Sequence, residues 1–229
     1  MALGRAYRHW PARGVVLLLS LALWALAAPA SRSRAISPAA SRTPVATRAD
    51  CGGVEEVYPA RHPRGKLPPL AIGDSTMLLS LDELAGIGYD ANAHGCRQYP
   101  EALALLRQRK AEGRLPHMVV IALGGDGMVS HADVGEAIGL LCCTHLLVEV
   151  TNRELGGGSG QDAVTEREEA ARHPGRIKLL DWVAFAQGHG DWFQPDGLHL
   201  TDVGARAFTD FLGRAMRWAY PPRRHRRRR

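Results

Sequence analysis

The feature that most constrains the fold is an alternation, between residues 67 and 218, of short apolar runs with helical periods. Five of the apolar runs predict strands, over 67–73, 87–91, 117–123, 144–151 and 177–182. The segments between and after them predict helices, over 75–84, 100–112, 131–141, 161–172 and 201–218. Strands that are apolar on both faces and alternate with helices indicate a parallel sheet covered on both sides. The predicted fold is therefore α/β, a three-layer α/β/α sandwich around a five-stranded parallel sheet.

Chemistry in such a fold is expected at the carboxyl ends of the strands, where ligands bind near the switch point of the sheet. This confines the search to the loops at 73–76, 91–98, 123–128, 151–160 and 189–200. Ser75 follows the first predicted strand and opens a helix, where unpaired backbone N–H groups suit a nucleophile whose attack creates an oxyanion. Serine is also a preferred helix cap, and taken alone this position favours a cap.

The loop before the last predicted helix favours the interpretation of Ser75 as a nucleophile. It places Asp196 three residues before His199, and a serine nucleophile needs a base within reach and an acid that orients the base. One short turn can present both side chains toward Ser75. The alternative is a metal site with His189 and Asp191 as further ligands, and it is the weaker interpretation. We expect neither a metal nor a cofactor.

Together these segments resemble the SGNH (GDSL-type) hydrolase family. Gly73-Asp74-Ser75 matches the family's first block, and the Asp-x-x-His of the last loop matches its final block. The second block looks like residues 90–98, and the third looks like residues 119–127. The Arg97-Gln98 pair and the Asp-Gly-Leu-His-Leu-Thr ending look most like the extracytoplasmic domains of peptidoglycan O-acetyltransferases and their stand-alone relatives. The resemblance implies the flavodoxin-like SGNH hydrolase fold.

The resemblance also implies a serine esterase or O-acyltransferase with a Ser-His-Asp triad. Ser75 would be the nucleophile, His199 the base and Asp196 the residue that orients the base. The backbone N–H groups of Ser75 and of Gly95 or Cys96 would donate to the oxyanion. The substrates implied are O-acyl esters, foremost acetyl esters, of an envelope glycan or a small molecule.

The third oxyanion donor is where the chain departs from the family, which has an asparagine at the position of Asp126. An ionised carboxylate only accepts hydrogen bonds and repels a developing oxyanion, whereas a carboxyl kept neutral by an apolar site can donate. The alternative function is therefore a catalytically impaired binding or scaffold protein at the cell surface. Arg97 is a candidate for binding an anionic substrate group, with pairing to a neighbouring acid as the alternative.

The two ends of the chain have patterns of their own. Residues 1–30 combine three arginines with a 14-residue apolar stretch and small residues around position 30. This predicts an export signal peptide, with an uncleaved membrane anchor as the alternative. Residues 31–50 predict a flexible linker, 51–220 the folded domain and 221–229 a disordered basic tail. Contact of that tail with anionic envelope polymers or lipid headgroups is its functional alternative.

The formal net charge of +6 comes from the two ends. The first 30 residues contribute +3 and the tail +6, which leaves residues 31–222 at −3. A mildly acidic body argues against a nucleic-acid-binding face. The predicted location is secreted or associated with the cell envelope.

Four cysteines fit an exported domain that contains a disulfide. Cys142 and Cys143 are adjacent, and adjacent cysteines seldom bridge each other. Cys51 and Cys96 are therefore the expected pair. The spacing contains no C-x-x-C element, so it does not indicate a structural zinc site.

Overall fold

The computed structural model describes residues 51–142 and 144–220. The predicted signal or anchor, the linker, the basic tail and Cys143 lie outside the described residues. The domain boundaries at 51 and 220 therefore stay a prediction. Within the described residues, no helix has the length and apolar character needed to cross a membrane.

A six-stranded sheet organises the described residues. Its strands in chain order are β1 Val54–Val57, β2 Leu70–Gly73, β3 Asp90–His94, β4 Met118–Ala122, β5 Leu146–Val150 and β6 Ile177–Leu180. Their spatial order is β1-β3-β2-β4-β5-β6, with β1 antiparallel to β3 and every other pair parallel. The α/β prediction is confirmed. The predicted count of five strands is wrong by one, because an antiparallel strand is added at the edge of the five parallel ones.

The missed strand, β1, contains no apolar run, which is the pattern used to predict the other strands. Its sequence is Val-Glu-Glu-Val, and three of its four residues are exposed. The second parallel strand was also misplaced, since 87–91 was predicted and the strand is Asp90–His94. Ile87 instead caps the preceding helix, and Gly88 reverses the chain with a φ of 107°. The strand itself is built from small and polar residues, which explains why the apolar pattern pointed too early.

The helices follow the predicted segments with two breaks. They are the 3₁₀ helix Ser75–Ser80, α1 Leu81–Gly86, α2 Tyr99–Ala111, α3 His131–Leu140, α4 Gln161–Arg172, α5 Trp182–Phe185, a 3₁₀ turn Gly190–Trp192, α6 Asp202–Gly213 and α7 Met216–Ala219. The first predicted helix begins with a 3₁₀ segment, and the last is divided between α6 and α7. Thr201 caps α6, because its hydroxyl accepts the N–H of Gly204 at 3.2 Å.

Two apolar layers cover the two faces of the sheet. Successive strand residues point to opposite faces, so Ala71 and Ile72 of β2 lie in different cores. The core beside Ala71 contains α1, α6 and an aromatic group that includes Trp182, Phe208 and Phe211. The core beside Ile72 contains the apolar faces of α2 and α3. This packing leaves the carboxyl ends of the parallel strands together at one edge of the sheet.

The second core also encloses an acidic pair between β5 and α4. Glu149 and Glu166 are both fully buried, and the Tyr99 hydroxyl donates to Glu149 Oε1 at 2.6 Å. Burial raises the pKa of Glu149 to about 8, against the lowering effect of the Tyr99 hydrogen bond. Burial, and then the nearby Glu149, raise the pKa of Glu166 well above its ordinary value. Both groups are therefore more stable in the core as neutral acids.

This pair makes the fold less stable at high pH. Since the folded state holds the Glu149 proton more tightly than the unfolded chain, the free energy of unfolding falls as the pH rises from about 4.5 to about 8. In Glu149→Gln a neutral side chain of the same shape still accepts from Tyr99. We expect the fall in unfolding free energy between pH 5 and pH 8 to be smaller in this variant by on the order of 3 kcal/mol. Urea unfolding of both proteins at the two pH values measures it, and parallel pH dependences would contradict the assignment.

Candidate active site

Three predicted site residues form one chain of hydrogen bonds at the carboxyl edge of the sheet. Ser75 Oγ lies 2.9 Å from His199 Nε2, and His199 Nδ1 lies 2.6 Å from Asp196 Oδ2. Ser75 begins the 3₁₀ helix after β2, and the other two residues lie in the turn before α6. The imidazole therefore lies between a hydroxyl and a carboxylate, the arrangement that lets it accept the hydroxyl proton.

The turn that contains Asp196 fixes its carboxylate by backbone contacts. Asp196 Oδ1 accepts the N–H groups of Leu198 at 2.9 Å and His199 at 3.0 Å. Partial burial acts to raise the pKa of Asp196, but the hydrogen bonds from the His199 side chain and these two N–H groups outweigh it and leave the pKa below its ordinary value. Asp196 is therefore an anion at neutral pH, so Nδ1 of His199 donates to it and Nε2 is left to accept from Ser75.

The glycine-rich loop after β5 supports this turn from outside. The N–H of Gly156 donates to the Asp196 carbonyl at 2.7 Å. A Cβ on Gly197 would lie 2.7 Å from the Gly157 nitrogen, so the two backbones touch where a side chain has no room. This loop therefore lies directly against the backbone of Asp196.

Beneath Ser75 lies a buried carboxyl, Asp74. Its Oδ1 accepts the N–H and hydroxyl of Thr76 at 2.9 and 2.7 Å, and its Oδ2 accepts from Asn152 Nδ2 at 3.3 Å. Burial raises the pKa of Asp74 to about 6, although the Thr76 hydrogen bonds oppose this. Sequence reasoning missed Asn152. Its position directly after a buried strand, within the predicted loop at 151–160, was the signal available.

The loop after β3 contains the predicted backbone donors Gly95 and Cys96. A disulfide joins Cys96 to Cys51, with 5.4 Å between their Cα atoms. A Cβ on Gly95 would lie 2.2 Å from the Cys51 carbonyl oxygen, so only glycine fits this approach. Cys96 has a φ of 56°, a conformation that non-glycine residues adopt rarely. The segment before β1 therefore holds the loop closely at both residues.

Arg97 contacts the end of β2 and the middle of β3. It is buried, and its Nη1 donates to the carbonyls of Gly73 at 3.1 Å and Asn92 at 2.8 Å, while Nη2 donates to Asn92 Oδ1 at 2.6 Å. Its hydrogen bonds are thus to the protein backbone and an amide, and none is to a carboxylate. The guanidinium joins the residue before Asp74-Ser75 to the strand that precedes the Gly95-Cys96 loop.

Asp126 is exposed in the loop after β4. Gln98 Nε2 donates to its backbone carbonyl, and the charge of Asp126 is close enough to help raise the pKa of the buried Asp74. The protonated-donor alternative requires an apolar enclosure around this carboxyl, and the exposed position does not provide one.

The proposed metal ligand His189 and the aromatic residues near the last loop lie partly in the core and partly at the surface. Among the described residues, no group of three or more His, Cys, Asp or Glu side chains is placed to hold a metal ion. His189 stacks on Trp192 with ring centroids 3.8 Å apart. Trp182 and Phe193 are both buried, and Trp182 packs edge-on against Phe208.

Comparison with known proteins relates the chain to enzymes of cell-wall acetylation. No protein-family model matches it. YrhL of Bacillus subtilis strain 168, to which peptidoglycan O-acetyltransferase activity is assigned, is 29% identical over 150 residues, which cover 65% of this chain and 23% of YrhL. The chain spans about a quarter of the length of the curated relatives it matches.

Solved structures show the same fold. The C-terminal catalytic domain of Streptococcus pneumoniae peptidoglycan O-acetyltransferase A, with a methylsulfonyl adduct, matches with a TM-score of 0.59 and 23% identity over 67% of this chain and 94% of that one. A protein of Slackia heliotrinireducens assigned to the SGNH hydrolases matches with a TM-score of 0.54 and 19% identity, over 66% of this chain and all of that one. The chain is therefore a homologue of the peptidoglycan O-acetyltransferases and has the fold of the SGNH hydrolases.

Proposed function

We propose that this chain is a serine esterase or O-acyltransferase that acts on acetyl esters of an envelope glycan. The observation that carries the proposal is the unbroken line of hydrogen bonds from Ser75 through His199 to Asp196, at 2.9 and 2.6 Å. Homology adds the substrate class, because the curated relatives are named as peptidoglycan O-acetyltransferases. Export and an envelope location are part of the proposal, since such a substrate lies outside the cytoplasm.

The reaction follows from the hydrogen-bond order. His199 Nε2 accepts the Ser75 proton as Oγ attacks the ester carbonyl carbon, and the imidazolium formed is stabilised by the Asp196 carboxylate. Collapse of the tetrahedral intermediate breaks the bond to the leaving oxygen, which takes the proton from His199 and departs as an alcohol. An acyl-serine remains. Water or a sugar hydroxyl then attacks it with His199 again as the base, giving hydrolysis or transfer.

The oxyanion of this intermediate has two backbone donors and one ill-suited side chain. The N–H groups of Ser75 and of Gly95 or Cys96 supply the donors. The exposed Asp126 carboxylate can only accept hydrogen bonds and repels the developing charge. Losing one oxyanion donor typically reduces turnover by about 10²–10³-fold. The proposed enzyme is therefore slow for its fold.

The nucleophile is tested by covalent labelling. We expect a fluorophosphonate probe to label wild-type protein at Ser75, and Ser75→Ala to abolish both the labelling and the turnover of an activated acetyl ester. His199→Ala should lower turnover by about three orders of magnitude or more, because a triad acts as a unit. Ser159→Ala, a serine outside the triad, is the matched control and should label normally. Ester turnover that survives in Ser75→Ala would refute the proposal.

The identity of residue 126 is tested by restoring the amide. Asp126→Asn supplies a neutral N–H donor with almost no change of shape, so turnover should rise about tenfold or more. Asp210→Asn, an equal charge change at another exposed aspartate on α6, should leave turnover unchanged. The comparison of initial rates on one activated acetyl ester measures both.

The same residue favours a second candidate function, an SGNH-like binding or scaffold protein. It would be supported if Ser75 stayed unlabelled in both wild-type protein and Asp126→Asn, with turnover absent from both. The site would then serve recognition without chemistry.

Arg97 is a positioning residue in this proposal. In Arg97→Lys one ammonium replaces a planar guanidinium that joins Gly73 and Asn92, so the Ser75 turn and the Gly95 loop should lose their mutual alignment. We expect kcat to fall about tenfold or more with KM little changed. Arg107→Lys, at an exposed position on α2, is the control. A raised KM with unchanged kcat would instead mean that Arg97 contacts the substrate.

A further inference from the structure

A second cleft shares the glycine-rich loop with the catalytic turn. Gly156 and Gly157 contact that turn, while the next two residues, Gly158 and Ser159, line a cleft of about 580 Å³. The opposite wall is the segment from α5 to the Gly190–Trp192 turn. The same loop therefore contacts the backbone of the turn that contains Asp196 and also lines a separate cleft.

The charge of this cleft is opposite to that of the domain. Residues 51–220 contain 16 Lys and Arg against 22 Asp and Glu, a net charge of −6. The residues that line the cleft include Arg153, Arg167 and His189 and not a single Asp or Glu. A basic cavity in an acidic domain concentrates anions at that place.

Arg153 is the arginine of this cleft whose guanidinium has no carboxylate partner among the described residues. Its guanidinium carbon lies 3.8 Å from the centroid of the Phe193 ring, and its Nη2 fills the space where Gly157 would have a Cβ. Its backbone forms an antiparallel bridge with Ser159, but its guanidinium makes no ion pair with any residue in the described part of the chain. Burial lowers the pKa of Arg153 from its ordinary value.

Arg167 also lines this cleft, but its guanidinium is bonded to other residues of the protein. Its Nε and Nη2 donate to the two carboxylate oxygens of Asp181 at 2.8 and 2.9 Å, and its Nη1 donates to the Ser159 hydroxyl at 2.9 Å. All three nitrogens are committed to the protein. Arg167 therefore holds the loop, and Arg153 is free for a ligand.

The cleft also offers a flat apolar surface. The exposed His189 ring lies on Trp192 at an angle of 11° between the planes, and Gln187 lies next to it in the cavity wall. A planar ring of this kind packs against the face of a sugar, while amide and hydroxyl groups bond to its hydroxyls.

We propose that this cleft binds a carboxylate-bearing sugar unit, with the Arg153 guanidinium paired to the carboxylate and His189 against the sugar ring. As a subsite for the glycan substrate this rests on the proposed function, and it deepens it: the substrate would be an acidic glycan held beside the catalytic turn. Planar guanidinium groups match carboxylates through two parallel hydrogen bonds, which favours a carboxylate here.

Binding is measured apart from catalysis. Trigalacturonate and its fully methyl-esterified form, which differ only in charge, are titrated into full-length protein by calorimetry and by amide NMR. We expect the acid to bind about tenfold more tightly than the ester, to shift the Gly157 and Gly158 amides, and to weaken as salt rises. Arg153→Gln should remove the difference. Arg206→Gln, the same charge change at an exposed arginine on α6, should keep it.

Several results would overturn this subsite. They are equal binding of acid and ester, a preference that survives in Arg153→Gln, and inorganic phosphate shifting the same amides when trigalacturonate does not. Arg153→Lys, which keeps the charge, should retain part of the preference and guards against a folding defect. Calorimetry and amide NMR read binding in Arg153→Gln, and turnover of a small activated ester by wild-type protein reads catalysis, so failure of the subsite and failure of the proposed catalysis are distinguished by separate assays.

Discussion

The site depends on one buried guanidinium, that of Arg97. It donates to the carbonyl of Gly73, where β2 ends, and to both the carbonyl and the side-chain oxygen of Asn92 in β3. The nucleophile turn follows the first of these strands, and the predicted oxyanion loop follows the second. Backbone hydrogen bonds of the sheet align the strands only up to their ends. Beyond that point, Arg97 is the contact that ties the two loops to one another.

The edge strand β1 supports the same contact from the other side. Glu56 of β1 accepts from Asn92 Nδ2 at 2.8 Å and from Arg109 Nη2 at 2.6 Å, so the amide that receives Arg97 is itself held. The disulfide from Cys51 reaches the loop on the same flank. The exposed, acidic strand β1 thus fixes the orientation of the Asn92 amide, which accepts a hydrogen bond from Arg97.

Local patterns account for what could be predicted, and long-range contacts account for what could not. The parallel strands and the Asp196–His199 turn have signals within a few residues, either an apolar run or a fixed spacing. β1 was missed because pairing with β3, and not burial of its own side chains, makes it a strand. Asn152, and the backbone contacts of Arg97, were not predicted for a related reason. Their partners, Asp74 and Gly73, are far away in sequence, and no periodicity records such a contact.

Charge distinguishes the catalytic turn from the cleft on the other side of the glycine-rich loop. Asp74 precedes Ser75, and the charge of Asp126 helps to raise the pKa of this buried carboxyl. An anionic sugar group is disfavoured there for the same reason that a developing oxyanion is. On the far side of the loop, no Asp or Glu is among the described residues that line the cleft of Arg153. In the proposed complex, an acidic glycan would lie with its carboxylate toward Arg153 and a neutral ester toward Ser75, and the charge of Asp126 would disfavour the reverse orientation.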